Sequence, residues 1–160
     1  MWLRKFGITA GVEFLFAAIA VVGFAGLASP SAAASDIFGV WSTEKGDGRV
    51  AITRCGDAIC GRVIDGKVLH VNPAQTDIFN PDRAKRTRPI KGLFVLEGYK
   101  GGPDEWTGGK LYDPHTGIAS NDSRLHLLTP DTLQVEGCRW VLCRSQTWTR
   151  VRNNLASPRG

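Results

Sequence analysis

The sequence lacks the strings that mark the common catalytic and metal sites. It contains no G-x-S-x-G, no H-E-x-x-H and no glycine-rich loop that could cradle a phosphate. Its three histidines, His70, His115 and His126, are far apart along the chain and follow no metal-ligand spacing. Gly108-Gly109 lies within a predicted strand, where it indicates a bend or bulge rather than a cofactor loop. We therefore predict that the protein is not an enzyme and that it holds no cofactor and no metal.

Long apolar runs are scarce, and the main one lies near the N-terminus. Phe14–Ala28 has 15 residues without a charge, whereas a membrane-spanning helix needs about 20. Two basic residues precede this run, and Ala32-Ala33-Ala34 follows a helix-breaking proline, which is the layout of a secretion signal. We predict a cleavable signal peptide at residues 1–34, with the cut after Ala34; a membrane anchor is the alternative. The remaining chain is then periplasmic or secreted, with no stable membrane span.

The four cysteines form two pairs of equal spacing, Cys55-x4-Cys60 and Cys138-x4-Cys143. In an exported domain such cysteines indicate two structural disulfides, because the compartment is oxidising. Four thiolate ligands for zinc are the alternative, although structural zinc sites usually have C-x2-C spacing. The connectivity is open at this stage. Each pair flanks a predicted hairpin turn, so we expect a bridge within each hairpin.

The chain after the signal alternates short apolar-polar segments with turn residues. Val50 and Ile52 share one face of such a segment, which is the period of a half-buried strand. No segment there shows a sustained helical period. We predict an all-β domain at residues 35–151, an antiparallel up-and-down arrangement of about eight strands, and a C-terminal tail at 152–160. The predicted strands are Phe38–Thr43, Arg49–Arg54, Ile59–Asp65, Leu93–Tyr99, Glu105–Tyr112, Arg124–Thr129, Leu133–Gly137 and Val141–Val151.

The first and last predicted strands carry residues suited to closing such a sheet into a barrel. Gly39-Val40-Trp41 opens the first strand, and Arg150 lies near the end of the last. If these strands pair, the guanidinium of Arg150 can stack on the indole of Trp41. This arrangement resembles the closure of lipocalin-like (calycin) barrels, in which its role is structural.

Two sets of residues could contact a ligand. Arg144, Gln146 and Trp148 share one face of the last strand, and if they point inward they offer an anchor for a carboxylate or phosphate; solvent exposure is the alternative. A connector of about 26 residues, Gly66–Lys91, includes the basic segment 83–91. It is either a binding loop or lid, or simply mobile. Its Arg86 and Arg88 could bind an anion, or could pair with Asp82 and Glu97 and merely pin the connector.

A set of uncommon strings resembles the bacterial domain of unknown function 2147 family. The resemblance implies an exported protein with a lipocalin-like barrel, and it implies no particular activity. The chain departs from the family pattern after Gly117, where members tend to carry a lysine and then a tyrosine. The strings are Gly39–Trp41, Arg54–Asp57, Cys60-Gly61, Asn80–Asp82, Arg88-Pro89, Gly92, Trp106–Pro114, Gly137-Cys138 and Leu142–Arg150.

These observations lead to two main hypotheses about function. The first is a barrel in the cell envelope that binds a small apolar or amphipathic ligand. The alternative is an interaction module that contacts another envelope protein or a polyanion through its outer face or the basic segment 83–91. The formal charge of +5 is modest; it suits solubility, and also contact with anionic lipid. We expect no nucleic-acid partner.

Overall fold

The structure, a computed structural model, describes residues 36–152. The predicted signal peptide and the chain beyond residue 152 lie outside the described residues. Within them, no helix combines the length and the apolar character needed to cross a membrane. Residues 83–85 form one turn of 3-10 helix. The remaining elements are β1 (Gly39–Ser42), β2 (Gly48–Cys55), β3 (Ala58–Gly66), α1 (Lys67–Val71), β4 (Phe94–Gly101), β5 (Glu105–Thr107), β6 (Lys110–Asp113), β7 (Ile118–Ser120), β8 (Asp122–Thr129), β9 (Thr132–Arg139) and β10 (Leu142–Arg150).

Eight of the strands form a closed ring, in the order β1, β2, β3, β4, β5, β8, β9 and β10. Neighbouring strands pair antiparallel throughout. The pairing of β3 with β4 and of β10 with β1 leaves no free edge in the ring. The β6–β7 hairpin branches from β4. The predicted all-β antiparallel barrel of about eight strands is therefore confirmed.

One predicted strand, Glu105–Tyr112, is divided into β5 and β6 at the glycine pair. Gly108 has a φ of +71°, which ends the extended conformation. A β-carbon at Gly109 would overlap the aromatic ring of Tyr99, so only glycine fits there. After this break β5 continues the barrel beside β8, while β6 turns away to pair with β4 and β7.

Side chains fill the barrel interior. Trp41, Leu96, Tyr99, Leu125 and Leu133 are each 0% exposed, so no water-sized space adjoins them. Eight-stranded barrels are just wide enough to be filled in this way. Burial also raises the pKa of Tyr99 to about 12, although its hydroxyl lies 2.7 Å from a serine hydroxyl on β8.

Arg150 closes one end of the barrel. Its guanidinium carbon lies 4.3 Å from the centre of the Trp41 ring, and its three nitrogens donate hydrogen bonds of 2.6 Å to the carbonyls of Asp36, Phe38 and Pro130. A β-carbon at Gly39 would lie 2.9 Å from this guanidinium, which explains the glycine of the G-x-W string. The four cysteines form two disulfides within hairpins, Cys55–Cys60 between β2 and β3 and Cys138–Cys143 between β9 and β10.

Candidate functional site

The connector is ordered by backbone hydrogen bonds along its length. After α1, its two arms meet in an antiparallel bridge between Thr76 and Pro89. The amide of Asp77 donates to the carbonyl of Arg88 at 3.0 Å. Beyond the connector, the amide of Gly92 donates to a β3 carbonyl at 2.7 Å. The segment is therefore a folded flap held against the barrel rather than a structureless loop.

A fully buried carboxylate holds the connector together. Asp77 is 0% exposed. Its Oδ1 accepts a hydrogen bond of 2.6 Å from the hydroxyl of Tyr112. Its Oδ2 accepts from Asn80 Nδ2 at 2.8 Å and from Arg88 Nε and Nη2 at 3.0 and 2.9 Å. A buried charge is tolerated only when it is paired and hydrogen-bonded, and these four bonds satisfy that requirement.

Tyr112 joins the connector to the barrel. Its side chain projects from β6, and its hydroxyl also accepts a hydrogen bond of 3.0 Å from Asn80. Burial, and then the adjacent carboxylate of Asp77, raise the pKa of Tyr112 to about 12. The phenol is therefore protonated at neutral pH and serves as a hydrogen-bond donor.

Strand register places this cluster on the outer face of the barrel. Leu96 pairs with Leu111, which faces the interior. The next pair along, Glu97 and Lys110, therefore faces outward, as does Tyr112 two residues beyond Lys110. The connector thus covers the outside of β4 and β6, and leaves a cleft beside them.

The cleft has a volume of about 170 Å³. Phe94 and Tyr112 line the cleft on the barrel side, and each ring has a guanidinium over one face: Arg62 lies 3.5 Å from the centre of the Phe94 ring and Arg88 lies 5.5 Å from that of Tyr112. Arg88 is neutralised by the buried carboxylate behind it, and Lys85 lies 3.2 Å from a carboxylate oxygen of Asp82. Among residues 36–152, no carboxylate lies within 4.0 Å of the Lys110 ammonium, although Glu97 is the cross-strand partner of Lys110. The lining residues are Asn80, Pro81, Asp82, Lys85, Arg88, Phe94, Glu97, Lys110, Tyr112, Gly117 and Ala119.

The turn between β6 and β7 closes one side of the cleft. Gly117 has a φ of +71° and packs so closely on the connector that a β-carbon there would overlap the carbonyl of Phe79. The glycine thus lets two separate parts of the chain meet at the cleft. Ala119, two residues on, presents only a methyl group to it.

The two predicted anion-binding arginines hold the connector rather than standing free. Arg86 donates to the carbonyl of Asn80 at 2.8 Å, and Arg88 is bound to Asp77. The alternative, that the arginines pin the connector, agrees with the structure, but the acid that pairs with Arg88 is Asp77. Asp82 and Glu97 were the expected partners; Asp82 instead pairs with a lysine, because its own one-turn helix brings that lysine within reach.

The residues predicted on β10 do not form an interior anchor. Trp148 is buried in the core, and its indole donates to Gln146 Oε1 at 3.1 Å. Gln146 and Arg144 are exposed. Both side chains are exposed because β1 pairs with β10 at only two positions, Trp41 with Arg150 and Ser42 with Thr149. The part of β10 that contains Arg144 and Gln146 therefore has no β1 beside it.

Sequence reasoning missed the residues that build the cleft. Asp77 is one acid among 15 in the chain, and no local pattern distinguishes it from a solvated one. Lys110 and Tyr112 lie within the Trp106–Pro114 string that contributed to the family resemblance. Asn80–Asp82 is also one of the strings of the family resemblance, but the inward direction of its asparagine depends on a partner 32 residues away.

Comparison with known proteins agrees with the fold. The sequence model of a family described as "Uncharacterized protein conserved in bacteria (DUF2147)" matches residues 39–150. Among solved structures, the barrel is similar to protein HP1028 from the human pathogen Helicobacter pylori, described as belonging to the lipocalin family, with a TM-score of 0.63 and 20% identity. The match covers 74% of this chain and 84% of that one. No curated protein matches the chain. Because the family match spans every strand from β1 to β10, the chain belongs to the DUF2147 family of bacterial proteins.

Proposed function

We propose that the protein binds a small amphipathic anion in the cleft beneath the connector. One observation carries the proposal: the cleft is lined by Lys110, whose ammonium has no carboxylate within 4.0 Å among the described residues although Glu97 lies opposite it on β4, and by the rings of Phe94 and Tyr112. A carboxylate or phosphate would pair with the ammonium, and an apolar body would lie on the rings.

The size of the cleft limits the ligand. An engineered cavity of about 150 Å³ holds benzene, and the cleft is about 170 Å³. A single-ring or short-chain acid therefore fills the cleft, whereas most of a large lipid would lie outside it. Similarity to a lipocalin-family structure supports ligand binding in general. The filled interior favours the outer cleft over the lumen that the sequence first suggested.

The residues that line the cleft are better suited to binding than to catalysis. The lining offers no histidine, serine or cysteine, and its one phenol, Tyr112, has a pKa raised to about 12 by burial and a neighbouring carboxylate. Two disulfides favour an oxidising compartment. We place this binding protein in the bacterial cell envelope, as the predicted signal peptide also suggests.

Amide chemical shifts recorded during titration with defined probes test the proposal. Benzoate and hexanoate should shift the amides of Lys110, Tyr112 and Ala119, while benzyl alcohol and hexanol should bind more weakly. Lys110→Gln should lower the affinity for benzoate about ten-fold, because a charge-assisted hydrogen bond is lost. Ala119→Phe should block binding by filling the cleft.

Lys100→Gln is the matched control, since Lys100 is an exposed lysine on β4 that does not line the cleft. Its affinity for benzoate should equal that of the unmodified protein. Equal losses in both lysine variants would refute a specific role of Lys110. Equal affinity for benzoate and benzyl alcohol would refute the anionic ligand.

A further inference from the structure

The hairpin of β9 and β10 ends in three consecutive exposed apolar residues. Trp140, Val141 and Leu142 are 97%, 92% and 74% exposed. We call these residues the apolar tip. Single exposed apolar residues are ordinary on protein surfaces, but a contiguous group that includes a fully exposed tryptophan indicates an interaction site.

The apolar tip has a backbone conformation that is unfavourable for the residue found there. Trp140 has a φ of +60°, and among residues 36–152 it is the only non-glycine residue with a positive φ. Glycine or asparagine adopts this conformation easily, whereas a bulky aromatic residue is strained there. The turn thus retains a tryptophan at a position where a small residue would fold more readily, and such strain is typical of functional sites.

The apolar tip is held rigidly away from the barrel. Directly behind it, the Cys138–Cys143 disulfide joins opposite residues of the two strands. β9 and β10 stay paired to the turn, where Leu142 lies opposite Arg139. Because β1 accompanies β10 only as far as Thr149, the end of the hairpin projects beyond its neighbour on that side. A preformed projection loses little conformational entropy when it binds.

Positive charge flanks the apolar tip. Arg139 and Arg144 are exposed on either side of it. The nearby Glu136 is already paired with Arg124, with 3.1 Å between Oε1 and Nε. Asp122, opposite Cys138 on β8, is an exposed acid behind the tip. Arg139 is thus the charged residue next to the turn, and Arg144 follows behind the disulfide, opposite Gly137.

We propose that the apolar tip docks this protein onto a bilayer that contains anionic lipid. Tryptophan side chains prefer the level of the lipid headgroups, and Val141 and Leu142 can enter the adjoining acyl region. Arg139 and Arg144 can then bind lipid phosphates. The tip is convex and narrow, so it suits insertion into a fluid surface better than burial in a flat protein interface. This docking is independent of the cleft and its ligand.

Cosedimentation with vesicles tests the proposal directly. The barrel domain, residues 35–160, is suited to the assay because every strand of its closed ring lies within Gly39–Arg150, and it omits the apolar N-terminal run. It should bind vesicles of phosphatidylglycerol and phosphatidylcholine, and bind phosphatidylcholine alone less. Brominated lipid should quench Trp140, since Trp41, Trp106 and Trp148 are buried at 0%, 6% and 4% exposure.

A matched pair of variants separates the apolar tip from general surface hydrophobicity. Val141→Ser should lower vesicle binding about ten-fold, the effect of withdrawing one apolar side chain from lipid. Val71→Ser should leave it unchanged, although Val71 is 88% exposed on α1. Trp140→Gly should abolish binding while keeping or raising the melting temperature, because it removes the backbone strain. Replacing both Arg139 and Arg144 by Gln should remove the preference for anionic lipid.

Three results would overturn the proposal. The first is an absence of vesicle binding and of quenching at millimolar lipid. The second is an equal loss in the Val141→Ser and Val71→Ser variants. The third is a Trp140→Gly variant that retains its stability and binds vesicles as the unmodified protein does. Capture of a protein partner through the tip, without vesicle binding, would also count against the lipid surface.

Discussion

At the scale of single residues, Asp77 shows how one buried carboxylate can order a long surface segment. Its four hydrogen bonds link the two arms of the connector to Tyr112 on the barrel. Its exposure is 0%, so removing it leaves the cation of Arg88 without its partner and a buried phenol without its acceptor. The residue is therefore structural support for the cleft rather than part of its lining.

We predict that Asp77→Ala lowers the free energy of unfolding by about 3 kcal/mol, because the buried Tyr112 hydroxyl and the Asn80 amide lose their acceptor, whereas the partly exposed Arg88 can turn to water. Urea denaturation monitored by circular dichroism measures it. Asp82→Ala is the control, since its carboxylate is exposed and pairs only with a surface lysine and one amide; it should change stability little. Similar losses of unfolding free energy in the two variants would contradict a stabilising role for the buried carboxylate of Asp77.

The two tyrosines predict how stability depends on pH. Burial raises the pKa of both Tyr99 and Tyr112 to about 12, from the ordinary value of 10.0. Between these values the unfolded chain releases phenolic protons that the folded protein keeps. Their contribution to stability is therefore complete below pH 10.0 and is lost as the pH rises towards 12.

We expect the free energy of unfolding to fall across this range, as measured by urea denaturation at successive pH values. Tyr112→Phe should about halve the part of the fall that the tyrosines cause, because one of two titrating groups is gone. The comparison uses the slope with pH, so a constant loss of stability in the variant does not affect it. An identical slope in the variant would contradict the assignment to Tyr112.

At the scale of elements, the glycine pair decides where the barrel ends and the cleft begins. The break at Gly108-Gly109 lets β5 stay in the ring while β6 diverges and presents Lys110 and Tyr112 beneath the connector. Alternation and turn residues were enough to predict the strands of the closed ring and a bend at the glycines, but not β7. They could not predict the exchange of partners, because the Tyr99 ring that forces it lies ten residues away in sequence.

We predict that Gly109→Ala destabilises the fold by about 3 kcal/mol, because the new methyl group overlaps the immobile ring of Tyr99. Gly56→Ala is the control. That glycine has a φ of +63° but no neighbouring atom within 4 Å, so it should lose only about 1 kcal/mol from backbone strain. Thermal and urea denaturation give both values, and a tolerated Gly109→Ala would show that the ring can move.

At the scale of the whole molecule, the ring is completed by one arginine and one tryptophan. Both were predicted from the sequence, since the G-x-W string and a late arginine have few structural uses together. The cleft beneath the connector could not be predicted in this way. The cleft forms where Phe94, Lys110 and the connector come together on the outside of a closed barrel. These segments are distant in sequence, so no local spacing of residues predicts that they are neighbours.

We predict that Arg150→Lys lowers the free energy of unfolding by about 3 kcal/mol, because an ammonium cannot reach three carbonyls and also stack on Trp41. Hydrogen exchange should show the amides of β1 and β10 opening first. Arg152→Lys is the control, as its side chain is 70% exposed and pairs with a half-exposed aspartate. Protection of β1 that is unchanged in Arg150→Lys would contradict the closing role.

The same closure governs the order in which the protein can fold. Arg150 bonds to Phe38 and Asp36, residues 112 and 114 positions earlier. Local hairpins can form early, but the last pairing must wait until both ends of the chain are present and the intervening loop has been closed. A chain emerging N-terminus first from a ribosome or a translocation pore therefore stays incomplete, with β1 unpaired on one side, until its final strand arrives. Late folding of this kind keeps a polypeptide competent for threading through a narrow channel.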